Sequence, residues 1–206
     1  MPRRADALEL AVLGLLADAP LHGYELRKRL AALLGPFRAI SYGSLYPCLK
    51  RLAARGWIAA DDPTPGNALA GRRARIAYGL TAEGKERLTE MRDESGPRSW
   101  EDESFGVHFA LFGQTPADVR LRILEGRRTR MQERVAQLQD AMRRRRERLD
   151  RYTLALQEHG LESVEREVRW LTDLIETERD EIARPSGSAP SKTRSTIRDD
   201  GRTGEV

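Results

Sequence analysis

The sequence predicts a mainly α fold in two parts: a compact helical unit with one short strand pair, and a long helical hairpin behind it. Three observations point there. Apolar residues recur at helical spacing through most of residues 5–55, strand-like alternation appears in residues 73–80 behind a turn-rich loop, and residues 131–182 step by threes and fours. Of the 206 residues, 39% are hydrophobic and 33% charged, a thin supply of core for this length. Part of the chain is therefore expected to bury its apolar stripe against a partner or to stay unfolded.

Leu8, Val12, Leu15 and Leu16 place a well-buried first helix over about Ala5–Ala17, ended by Asp18-Ala19-Pro20. A second opens near His22-Gly23 and runs through Tyr24, Leu26, Leu30, Leu33 and Leu34 to Gly35-Pro36. A third begins around Ser41-Tyr42-Gly43, carries Leu45, Leu49 and Leu52 on one face, and closes at Arg55-Gly56. Pro47 fits if it lies within the first turn or so, where no amide partner is lost. Residues 57–60 read as a strand, 62–67 as a turn and 73–80 as the returning strand; Thr81 caps a helix over residues 82–93. Helix, helix, helix, strand, turn, strand, helix is the order of a winged helix-turn-helix, here residues 1–93.

Residues 94–104 read as a linker and 105–183 as a helical dimerisation domain. Thr115 is expected to cap a long helix with Pro116 at its first position, running to His159-Gly160. A second helix follows through Val164, Val168, Leu171, Ile175 and Ile182. Met131, Val135, Leu138, Met142 and Leu149, with Val164, Val168, Leu171 and Ile175, form the seam assigned to dimerisation, which can close internally or against another chain. Residues 184–206 are rich in Ser, Gly, Pro, Thr and charge and read as disordered. The four arginines Arg143–Arg146 point around much of a helix, so a solvated face paired with Asp140, Glu147 and Asp150 is expected of them.

Charge divides unevenly. Residues 1–90 carry 14 Lys/Arg against 9 Asp/Glu, whereas residues 91–183 carry 17 against 20, so the basic excess sits at the end expected to meet a polyanion. The third helix offers Tyr42, Ser44, Tyr46, Lys50 and Arg51 to a major groove, with its leucines as anchors. Packing against the wing is the competing reading of Tyr42 and Tyr46. Arg72, Arg73 and Arg75 flank the wing, where a narrow minor groove attracts arginine, and Arg3 and Arg4 form either a phosphate-contacting arm or a frayed terminus. Trp100, Phe105, Phe109 and Phe112 wall either an apolar effector pocket or the core between the two parts.

Other classes find little support. Cys48 is the only cysteine and there are three histidines, so neither a disulfide framework nor a metal-ligand spacing exists; no cofactor and no metal are expected. Catalytic triads and phosphate-binding glycine loops are absent, which argues against an enzyme. No apolar run approaches the roughly 18–20 residues of a membrane span, and cytoplasmic residence is expected.

The blocks Leu8–Leu16, Pro20–Leu26, Ser41–Leu52, Gly56-Trp57-Ile58 and Tyr78–Gly84 resemble the PadR family of bacterial transcriptional regulators, in family order and spacing. HGYEL, GSLYPCLKRL and YGLTAEG together are specific; Trp57 stands where the family commonly has Leu or another aromatic. The resemblance implies a homodimer that binds an inverted-repeat operator on double-stranded DNA and represses a nearby gene until a small-molecule effector releases it. It also implies that Tyr24, Tyr42, Ser44, Tyr46 and Lys50 face DNA, with Arg72, Arg73 and Arg75 in the wing. The alternative is a winged-helix protein-interaction adaptor working through its coiled arm; Lys50, Arg51 and Arg55 on the third helix argue against it.

Overall fold

A computed structural model of the chain describes residues 2–34, 42–61, 76–145 and 150–184. The order is α1 (Pro2–Asp18), β1 (Leu21–His22), α2 (Gly23–Leu34), α3 (Tyr42–Ala54), β2 (Ile58–Asp61), β3 (Ala77–Leu80), α4 (Ala82–Asp93), α5 (Phe105–Ala110), α6 (Ala117–Arg145) and α7 (Arg151–Ala183). The first seven elements form a winged helix-turn-helix. Its sheet is antiparallel in the order β1-β3-β2, with Ile58 opposite Leu80 and Leu21 opposite Tyr78.

α1 is the hub. Ala7, Leu10, Ala11, Val12, Leu13 and Leu16 are buried nearly all round it, as expected of a helix with neighbours on most sides. Those neighbours are α2, α3, α4, α5 and β3. At Gly14 a methyl group would lie 2.6 Å from Leu111, so the missing side chain lets the segment after α5 close onto α1.

α4 starts as expected. Thr81 accepts a hydrogen bond from the Gly84 amide at 3.0 Å, and Leu88 and Met91 turn inward. β1 was not foreseen, because two residues are too short a run to show alternation.

Behind the winged unit, α6 and α7 pack as an antiparallel hairpin around Val119, Ile123, Leu124, Met131, Leu171 and Ile175. Met131, Leu171 and Ile175, assigned to a dimerisation seam that could close internally or against another chain, are consumed within the protomer, each at most 1% exposed. Val164 and Val168 pack partly against the same cluster. The hairpin turns near Asp150 rather than at Gly160. The Asp150 carboxylate accepts from the Tyr152 and Thr153 amides at 2.9 and 3.1 Å, which starts a new helix there. Gly160 lies inside α7, where it costs about 1 kcal/mol relative to alanine. Leu149 lies outside the described residues, as do residues 185–206. Thr115 is not a side-chain cap either: its hydroxyl donates back to the Leu111 carbonyl at 2.9 Å, and α6 begins at Ala117.

Arginine–carboxylate pairs staple the hairpin. Arg120 donates to Glu178 from Nε to both carboxylate oxygens at 2.9 Å and from Nη2 at 2.7 Å, and to the Thr115 carbonyl at 3.0 Å. Arg127 is 7% exposed and ties α6 to two other segments: to Glu167 on α7 at 2.7 Å, and before α5 to Asp102 at 2.5 Å and the Trp100 carbonyl at 3.1 Å. Burial alone would raise the Asp102 carboxyl, but the Arg127 hydrogen bond and charge, with Arg134, outweigh that and hold it below its ordinary range. Replacing Arg127 by leucine leaves two partly exposed carboxylates without this partner. The expected loss is about 2 kcal/mol, below the 3–5 of a fully buried pair, measured by urea denaturation. Of the arginine run, Arg143 pairs with Asp140, as a solvated face requires.

Candidate nucleic-acid interface

α3 is anchored by Leu45, Cys48, Leu49 and Leu52, each at most 1% exposed. Cys48 behaves as a small hydrophobe: burial first, then the nearby Glu9 carboxylate, pushes its thiol up to about 12, so it stays protonated. Pro47 falls in the second turn rather than the first, because α3 already begins at Tyr42; it has no N–H for the Gly43 carbonyl.

The opposite face of α3 is open. Tyr46 and Lys50 are exposed along it, Ser44 is exposed at the start of the helix on the side of Arg51, and Tyr24 at the start of α2 is 64% exposed. A methyl group on Gly23 would meet the Tyr46 ring at 3.5 Å, so that ring lies against the α2 N-terminus, one residue before Tyr24 in sequence. That terminus is closed by Glu25, whose carboxylate accepts from the His22 amide at 3.0 Å; His22 thus acts as a capping position. Tyr78 on β3 lies close by, its hydroxyl pKa raised by burial and by Tyr46. The root of the wing, the start of α2 and the face of α3 therefore meet around Tyr46. The side chains of Arg3, Arg4 and Tyr42 lie outside the described set, as do Arg72, Arg73 and Arg75 entirely.

Arg51 turns away from that open face. Its Nε donates to Glu9 on α1 at 3.2 Å, and Arg55 donates to the other oxygen of Glu9 at 3.1 Å. The guanidinium of Arg55 also stacks 4.9 Å over Trp57, which Arg87 flanks at 5.4 Å. Sequence reasoning passed over Glu9. The signal was present, since a carboxylate inside an apolar helix must find charged partners.

Behind the end of α3 lies a cavity of about 420 Å³ whose walls include Leu10, Trp57, Arg87, Met91, Arg98 and His108. Arg87 Nε and His108 Nδ1 are buried there without a hydrogen-bond partner among the described residues. Trp100, Phe105, Phe109 and Phe112 do not line it. Phe105 and Phe109 instead pack on Trp170 at 6.3 and 5.2 Å, Phe112 lies 5.0 Å from Phe109, and Trp100 fills the space over Gly126. Phe105, Phe109 and Phe112 thus pack with the α6–α7 cluster, where Trp170 of α7 meets Phe105 and Phe109.

Residues 12–90 match the model of the transcriptional regulator PadR-like family. Over that stretch the chain is similar to the PadR-like family. It is also similar to the negative transcriptional regulator PadR of Bacillus subtilis, 32% identical over 98 residues, which are 47% of this chain and 52% of that protein. The alignment thus spans about half the length of that curated relative. Among solved structures, Bacillus subtilis PadR in complex with operator DNA is 22% identical over 83% of this chain and 98% of its own, with a TM-score of 0.38. The same protein in complex with p-coumaric acid gives 21% identity over 84% and 99%, with a TM-score of 0.37. The PadR-like match covers the end of α1, then α2, α3, the strands and most of α4, so the open face around Tyr46 and Lys50 lies within it. No described helix is long and apolar enough to cross a membrane.

Proposed function

We propose that this protein is a homodimeric transcriptional repressor that binds an inverted-repeat operator in double-stranded DNA. The observation that carries the reading is the PadR-like match over residues 12–90, which includes a helix whose one face is anchored by leucines and whose other face is open and polar. In this reading α3 enters the major groove, Tyr24 and Tyr46 approach the backbone beside the α2 N-terminus, and Lys50 meets a phosphate. The wing arginines Arg72, Arg73 and Arg75, with Arg3 and Arg4 at the N-terminus, supply further phosphate and minor-groove contacts. Repression follows the function named for the Bacillus subtilis relative.

Dimerisation falls to the hairpin surface that the protomer leaves open. Tyr152 and Leu156 are each 71% exposed on α7, and Trp170 and Ile182 are also open. Val135, Leu138 and Met142 on α6 are half-buried and available at its margin. Two α3 helices held by such an arm would read half-sites about 10 bp apart, or a multiple of that. The 420 Å³ cavity replaces the aromatic cluster as the place for an effector.

The test is binding to an operator selected from random duplexes, followed by fluorescence anisotropy across salt. Lys50→Ala should weaken binding to all sequences alike and reduce the slope of log K against log salt by about one. An unchanged slope would remove Lys50 from the interface.

A further inference from the structure

Glu9 is 5% exposed, and its two oxygens accept from two arginines of the same helical end, Arg51 at 3.2 Å and Arg55 at 3.1 Å. The carboxylate is inside and the guanidiniums reach in from the rim: side-chain exposure is 7% for Glu9, 42% for Arg51 and 50% for Arg55. Spaced four apart, the two arginines share one side of α3, while Lys50 is rotated about 100° from Arg51 on the exposed face. Arg55 is held a second time by the Trp57 ring.

Burying a carboxylate costs several kcal/mol unless it is paired, and an apolar side chain of similar size would pack against α3 at no such cost. What the charge adds is control over two cations. Contacts to phosphate position a protein on DNA but carry no sequence information, and every free arginine near the groove strengthens binding to all sequences equally. A helix with Lys50, Arg51 and Arg55 all free would be adhesive and unselective.

We propose that Glu9 is a positioning residue that withholds Arg51 and Arg55 from DNA phosphates, so that α3 binds its operator with fewer sequence-independent contacts than its basic residues would permit. The proposal rests on the DNA-binding reading above and removes Arg51 from the set of groove-facing side chains.

The experiment uses the full chain and two duplexes of equal length, the selected operator and a scrambled sequence, titrated between 50 and 200 mM KCl. Glu9→Gln keeps the volume and removes the charge. Expected are about tenfold tighter binding to the scrambled duplex at the lowest salt, a steeper salt slope by about one, and a smaller operator-to-scrambled ratio. Adding Arg51→Gln and Arg55→Gln to that variant should return the slope to the wild-type value. If Glu9 only braces the fold, affinity for both duplexes falls together with no change of slope, and the proposal is overturned. A variant that needs no loss of the buried acid gives the same decision: Arg51→Gln alone should leave the scrambled-duplex slope unchanged, whereas Lys50→Ala lowers it. Equal lowering by both overturns the proposal while leaving the DNA-binding reading intact. Failure of the wild-type chain to bind either duplex overturns both.

Discussion

Replacing Gly84 by alanine is expected to lower the melting temperature by roughly 6–12 °C, corresponding to about 3 kcal/mol for a chain of this size. The cause is a backbone contact with no slack. Gly84 is in the first turn of α4, and a methyl group there would lie 1.9 Å from the Trp57 carbonyl oxygen and 2.9 Å from its carbon. Neither atom is on a side chain that can rotate away. The surrounding bonds prevent α4 from backing off: the Thr81 amide donates to that same Trp57 oxygen at 3.2 Å, and the Thr81 hydroxyl donates to the Gly56 carbonyl at 2.7 Å. Gly56 in turn has φ of 72°, a left-handed turn that ends α3 and favours glycine. The change therefore strains the joint between the end of α3 and the start of α4. Circular dichroism melting decides it; a shift under 2 °C would show that the joint can relax. Gly84 is part of YGLTAEG, so this block is a packing device.

The winged unit was legible where physics is local. Leucines at helical spacing gave α1, α2 and α3 within about three residues at each end, and Thr81 gave the start of α4, because side-chain periodicity and capping act within one turn. Legibility failed where two signals competed or a partner was distant. Gly160 reads as a helix stop, yet the Asp150 cap decides the turn. Met131, Leu171 and Ile175 have the spacing of a seam, but spacing does not say whether the partner helix is in the same chain. At the interface, Tyr24, Ser44, Tyr46 and Lys50 are exposed as read. Arg51 looked equally available because nothing near it in sequence reveals Glu9, forty-two residues away. His108 gave no signal at all, since its burial arises from elements brought together only by the fold.

That histidine should make the fold acid-sensitive in a window where few other groups titrate. His108 is 7% exposed, and burial pushes its pKa down from 6.5 to about 4. The folded state therefore refuses a proton that the unfolded chain accepts below about 6.5. Above that pH both states are neutral and the group adds no pH dependence. As pH falls from 6.5 towards 4, stability drops by about 1.4 kcal/mol per unit, reaching roughly 3 kcal/mol before the folded form also protonates. Asp102, six residues before His108, is held below its ordinary carboxylate range by Arg127 and Arg134, so it stays charged through most of this window. His22 and His159 are exposed. Urea denaturation at pH 7.5 and pH 5.0 should show the wild type losing about 2 kcal/mol, with His108→Gln losing little of that. The sign separates this from a stabilising ion pair: a histidine held by an acid would gain stability on acidification. A wild-type profile that is flat or rises between pH 7.5 and 5.0 would mean that His108 finds a partner for its proton in the cavity, where its Nδ1 otherwise has none among the described residues.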